Sequence, residues 1–181
     1  VYFWADTFFA WSNKQFDEFC EMYQEFKLPF WCQTRVETVT HERIKKLKDI
    51  GLHMLAFGME HGNEKFRADV IDRKYSNESA IKALQIPHQY GVPFTVNNII
   101  GFPGETRELA FDTIEINRNW ESDQMSCSIL QPYYGTPLRK LAVDKKYLHP
   151  DAICPANSDD TMMNLPLSLI HISEPTRQWQ I

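Results

Sequence analysis

Several things are scarce in this 181-residue chain, and each scarcity excludes something. Its four cysteines, Cys20, Cys32, Cys127 and Cys154, are scattered. They form neither CxxC nor any other close ligand spacing, so no metal site is expected among them. A disulfide framework is not expected either, because the chain carries enough apolar sequence to build a core. No apolar run is long enough to span a bilayer, and no signal-peptide pattern precedes the first apolar segment. Basic charge is short: 19 Lys and Arg stand against 24 Asp and Glu, a net charge of -5. That balance points away from nucleic acid as the main partner, since phosphate recognition calls for a basic face. Glycine is sparse, at seven residues. Two of them bracket the turn at 101–104 (GFPG), which has no Lys-Ser/Thr pair and so is not a phosphate-gripping P-loop.

What is present is ordinary in proportion, 43% hydrophobic and 24% charged, and rich in aromatics, with twelve Phe and five Trp. One domain is the expectation. The chain opens at Val1 inside an apolar run without an initiator Met, which reads as a truncated start. Residues 1–4 (VYFW), 30–34, 53–57, 92–100 and 125–130 read as strands. Helices fall between them. Ser12 and Gln15 have capping-box spacing before a helix to about Phe26. Thr40 caps a second helix, with Ile44, Leu47 and Ile50 inward and Gly51 as its stop. A short helix carries Phe66 and Val70. Ser76 caps another, with Pro87 expected to kink or end it. Thr106 opens a further helix, to about Trp120, and residues 138–142 begin one more. The two strand cysteines, Cys32 and Cys127, read as buried thiols.

Strand and helix alternate at roughly 30-residue spacing, the rhythm of successive βα units with parallel strands. The fold class is therefore α/β, an incomplete TIM-like barrel. Polar and unusual residues gather after each strand: Asp6, Thr34-Arg35, Glu60-His61, 101–105 and 133–136. In a parallel barrel that end is the active face. After Asp151 the pattern fades. Residues 151–166 read as irregular, with 157–161 as loop or disorder and Cys154 at a disordered end. Residues 167–181 look like a non-native tail.

The order of these loops resembles a known family. Residues 97–106 (NNIIGFPGET) resemble the sixth-strand motif of radical S-adenosylmethionine enzymes, and 57–63 (FGMEHGN) their fifth-strand motif. Residues 1–8 (VYFWADTF) and 31–35 (WCQTR) resemble the third and fourth strands. Residues 131–138 (QPYYGTPL) are similar to the exit common in the cobalamin-binding branch. The match covers 1–150, taken as roughly the third to seventh βα units. The family's CxxxCxxC loop is not in this chain and is expected upstream of it.

The resemblance implies S-adenosylmethionine and a 4Fe–4S cluster as cofactors, possible cobalamin use by the whole protein, and an electron donor such as a flavodoxin or ferredoxin. It implies a small-molecule substrate, a cytoplasmic enzyme, and cleavage of S-adenosylmethionine to a 5′-deoxyadenosyl radical for methylation, rearrangement or a related reaction. This stretch alone would be inactive. Carried over residue by residue, Glu60 reaches the ribose, Arg73 grips the methionine carboxylate, and Ile99 and Gly101 face the adenine. Arg35 and Asp6 are further cofactor contacts, and His61 and Tyr133 face substrate. Plainer readings stand beside these. Glu60 could cap the helix at Asn63, Arg73 could pair with Asp69 or Glu78, Arg35 with Glu37, and His61 could be a solvated loop histidine. An unrelated βα-barrel enzyme or a non-catalytic scaffold would share the same rhythm.

Overall fold

The computed structural model describes residues 1–156 and 161–166. Five strands form one sheet in chain order: β1 (Tyr2–Phe3), β2 (Phe30–Arg35), β3 (Leu52–Glu60), β4 (Phe94–Ile100) and β5 (Gln124–Ile129). Every neighbouring pair is parallel. Between them run α1 (Asn13–Tyr23), α2 (His41–Asp49), α3 (Glu64–Ile71), α4 (Asn77–Gln89) and α5 (Arg107–Ile116), with α6 (Pro137–Asp144) after β5. The expected incomplete parallel barrel is thus present, open at β1 and β5. Residues 157–160 and the 167–181 tail lie outside the described residues.

Local chemistry sets the helix starts. Ser12 and Gln15 close the capping box on α1, while Thr40, Ser76, Thr106 and Thr136 each accept a backbone N–H three residues on. Such side chains satisfy donors that a helix start leaves unpaired. Asn63, not Glu60, caps α3 through the Phe66 amide at 2.9 Å. Pro87 does not stop α4 at once: the helix runs two residues further and ends at Gln89.

Alternation along the strands divides the sheet into two faces. Cys32 of β2, Leu55, Phe57 and Met59 of β3, and Phe94 and Val96 of β4 are buried. With Phe8, Phe16, Phe19, Ile44, Leu47 and Leu84 they build the main core on the helical side. The opposite face carries Gln33, Arg35, Gly58, Glu60, Asn97, Ile99, Ser126 and Ser128, all of which line one cavity. A second, smaller core sits beyond the β4 and β5 exits. Phe102, Leu130, Ala142, Leu148, Met163 and Leu165 form it, so the irregular 161–166 segment is packed, with Met163 and Leu165 both buried. Cys127 corrects an expectation: it is exposed, because β5 is an edge strand and Gln124–Ser128 are all exposed.

Candidate cofactor site

A cavity of about 770 Å³ opens at the carboxyl ends of the strands. Asp6, Arg35, Glu60, Arg73, Ile99 and Tyr133 all line it. They come from six separate stretches of chain; the parallel sheet puts five of them, at strand ends, on one rim, and Arg73 joins them from the segment after α3. Six of the eight proposed site residues therefore share one cavity.

Glu60 is its centre. The β3–β4 register shifts between Gly58 and Glu60, and Glu60 sits at φ +67. A left-handed conformation at a non-glycine residue with a long side chain is uncommon, and strain of this kind concentrates at functional sites. The His61 amide donates to the Met59 carbonyl at 2.9 Å and closes the turn around it. The turn folds the Glu60 carboxylate back over Gly58, where an added Cβ would lie 2.3 Å from Oε1. A side chain at position 58 would displace the carboxylate from this place. Arg73 Nη2 meets Glu60 Oε1 at 3.1 Å, with side chains 20% and 15% exposed. Burial raises the Glu60 carboxyl above its usual range, and Arg73 and Arg35 pull it back down. Glu60 thus remains a desolvated acceptor beside two guanidinium groups.

The plainer pairings are resolved one by one. Arg73 pairs with Glu60; Asp69 and Glu78 pair with Lys65 and Lys82. Arg35 does pair with Glu37, yet it also lines the cavity. Its Nε is buried without a hydrogen-bond partner.

Two expected residues are elsewhere. His61 is neither substrate-facing nor solvated. It is fully buried, hydrogen-bonded to Glu105 at 3.1 Å and packed on Phe66 at 4.6 Å between centroids. Gly101 is not among the lining residues. At φ +82 its amide donates to Glu105, and a Cβ added there would lie 3.1 and 3.7 Å from Ile129 and Leu165. Turn geometry, not ligand approach, requires glycine there.

Other lining residues were not singled out from sequence. Gln33, Asn97, Ser126 and Ser128 line the cavity floor, with Ser126 Oγ and Asn97 Oδ1 at 2.8 Å. Their period-2 alternation with Cys32, Val96 and Cys127 was the available signal. Cys154 is not at a loose end: its thiol donates to the Pro132 carbonyl at 3.0 Å. Among the described residues no three His, Cys, Asp or Glu side chains converge to hold a metal, and no helix is long and apolar enough to cross a membrane.

The residues therefore fit an adenosyl-amino-acid ligand in one respect and a cluster in none. The cavity offers a desolvated carboxylate, two guanidinium groups and an apolar strand end at Ile99, whereas the four thiols lie on separate elements.

Comparison with known proteins bears on the family and the fold. A family model described as the radical SAM superfamily matches residues 6–115. An uncharacterised methyltransferase of Pyrococcus horikoshii is 28% identical over 149 residues, 82% of this chain and 32% of that protein. The fold superposes with TM-score 0.65 on the radical S-adenosylmethionine methyltransferase TsrM of Kitasatospora setae, solved with cobalamin and a 4Fe–4S cluster. That match is 16% identical and covers 84% of this chain and 32% of TsrM. The archaeal Elp3 of Methanocaldococcus infernus gives TM-score 0.66 at 17% identity, over 80% of this chain and 39% of that one. The chain spans about a third of the length of the curated relative.

Proposed function

The chain belongs to the radical SAM superfamily, and from that membership we propose that residues 1–150 are the downstream part of a barrel that binds S-adenosylmethionine. The observation that carries this is the convergence of Glu60, Arg73, Arg35 and Ile99 on one cavity, with Glu60 held left-handed over a glycine. When bound, S-adenosylmethionine supplies a sulfonium whose reductive cleavage generates a 5′-deoxyadenosyl radical. Glu60 accepts from the ribose hydroxyls, a vicinal pair suited to a carboxylate. Arg73 takes the methionine carboxylate through charge-assisted hydrogen bonds, and Arg35 adds positive potential. Ile99 gives the adenine an apolar wall, and Asp6 and Tyr133 stand at the rim of the same cavity.

The cluster belongs to residues upstream of this chain, since its own thiols are dispersed. Methylation is the favoured outcome, supported by the methyltransferase relatives. Cobalamin use by the whole protein is supported by the QPYYGTPL exit and by the cobalamin-bound neighbour. A small-molecule substrate, a flavodoxin or ferredoxin as electron donor, and a cytoplasmic setting complete the proposal. The test is anaerobic reconstitution of the full-length protein with iron and sulfide, followed by an assay for 5′-deoxyadenosine. Product from wild type, and its loss in Glu60→Ala and Arg73→Ala, supports the assignment. Cleavage unchanged in both variants refutes it.

A further inference from the structure

His61 is a buried imidazole whose two ring nitrogens are both used. The Asn63 amide donates to Nδ1 at 3.0 Å. A backbone N–H can only donate, so Nδ1 is the acceptor and the ring proton sits on Nε2. Nε2–H then donates to Glu105 Oε1 at 3.1 Å. The other oxygen, Oε2, accepts from the Gly101 and Phe102 amides, the latter at 3.0 Å. Both side chains of the pair are fully buried. A carboxylate acceptor in a dry site makes this bond one of the stronger kind.

The bond joins two loops far apart in sequence. His61 follows Glu60 at the β3 exit, and Glu105 closes the β4 exit turn after Ile99 and Gly101. Other anchors also hold the His61 side. Arg67 donates to the His61 carbonyl at 2.7 Å, Asn77 to the Gly62 carbonyl at 2.8 Å, and the Gly62 amide to Thr113 at 2.9 Å. The β3 exit thus has little freedom to relax, although Glu60 sits at φ +67 in its middle.

We propose that His61 is a positioning residue: its Nε2–H bond to Glu105 locks the β3 exit to the β4 exit, so that Glu60 and Ile99 present a preformed pair to one ligand. The inference rests on the S-adenosylmethionine reading of the cavity. It differs from that reading in its consequence, because His61 touches no ligand. Preorganisation of this kind lowers the ordering cost of binding.

The experiment is calorimetric titration of the full-length protein with S-adenosylhomocysteine, a ligand that needs no chemistry to report. His61→Phe keeps the aromatic packing against Phe66 and Phe102 but has no donor. It is expected to weaken binding about tenfold, the scale of one buried charge-assisted hydrogen bond. His61→Gln, which restores a donor toward Glu105, should recover most of that loss. Equal affinity in wild type and His61→Phe overturns the proposal and assigns the pair to stability alone. So does a loss that His61→Gln leaves uncorrected. If His61→Phe does not fold, Glu105→Gln decides in its place, with a smaller loss of about threefold expected. A wild-type protein that does not bind S-adenosylhomocysteine overturns the cavity reading, and the His61 proposal with it.

Discussion

The β3 exit and the β5 exit leave the same end of the same sheet, and they are held in opposite ways. The β3 exit is held from within. His61 is buried, Gly62 lies so close to α5 that a Cβ would come 2.1 Å from the Asp112 carbonyl, and the carbonyls of His61 and Gly62 are tied to Arg67 and Asn77. The β5 exit is held from outside. Tyr133 and Tyr134 are 45% and 61% exposed, and Gly135, at φ +81, has open space around it. The buried side chain of Arg139 is the main anchor of this loop. It donates to the carbonyls of Pro132, Pro150 and Ala152, and its guanidinium stacks 3.5 Å from the Tyr134 ring centroid. The β3 exit is therefore pinned by buried contacts to α3, α4 and α5, while the β5 exit is pinned mainly by Arg139, with the Cys154 thiol on the Pro132 carbonyl and the Tyr134 hydroxyl on the Pro150 carbonyl beside it.

Substitutions sharpen that contrast, beginning with the largest effect. Gly62→Ala forces a backbone clash at the β3 exit and should cost about 3 kcal/mol or more, at the upper end of overpacking penalties. Chemical denaturation of the full-length protein measures it, and a cost below 1 kcal/mol would deny that the approach to α5 is tight. Arg73→Ala should weaken S-adenosylhomocysteine binding about 30-fold, as loss of a charge-assisted pair implies. Arg35→Lys should cost less, since the charge stays; equal losses would exchange the roles of the two arginines.

Arg139→Met should lower stability by about 2 kcal/mol through three lost carbonyl bonds to a charged group, yet leave S-adenosylhomocysteine affinity unchanged. An affinity loss comparable to that of Arg73→Ala would erase the distinction between the two exits. Acid titration reports on Glu60 itself. Burial raises its carboxyl above the ordinary 4.5, and only the ionised form accepts two ribose hydroxyls. Affinity should therefore fall as pH drops toward the raised value, at a pH where an exposed glutamate would still be ionised. In Glu60→Gln the whole curve should be weak and flat over that range. The smallest effect is expected at Gly135→Ala, about 1 kcal/mol from a positive φ that alanine resists, with no change in binding.

Much of the site's address was legible because it is local. Strands announce themselves by apolar runs, helix starts by Ser and Thr caps, and loops by glycine and proline. Parallel βα order then places every strand exit on one rim, which is how Asp6, Arg35, Glu60 and Tyr133 could be grouped, whereas Arg73 and Ile99 came from the family resemblance. The misses are residues whose partners lie far along the chain. His61 and Gly101 look like loop residues until Glu105 arrives from the next unit and accepts from both. Cys127 looks buried from its strand alone, but its exposure depends on β5 being an edge. Cys154 looks loose until the β5 exit folds back to offer the Pro132 carbonyl.

By itself, then, the sequence determined the βα rhythm, the capping of the helices, the scattering of the thiols and the identity of the loop residues, all of which depend on neighbours a few positions away. Tertiary structure alone decided which face each loop residue takes. It turned Glu60 left-handed over Gly58, and it set the imidazole of His61 against a carboxylate 44 positions along the chain. No periodicity encodes that contact, because it forms only when two adjacent strands end side by side.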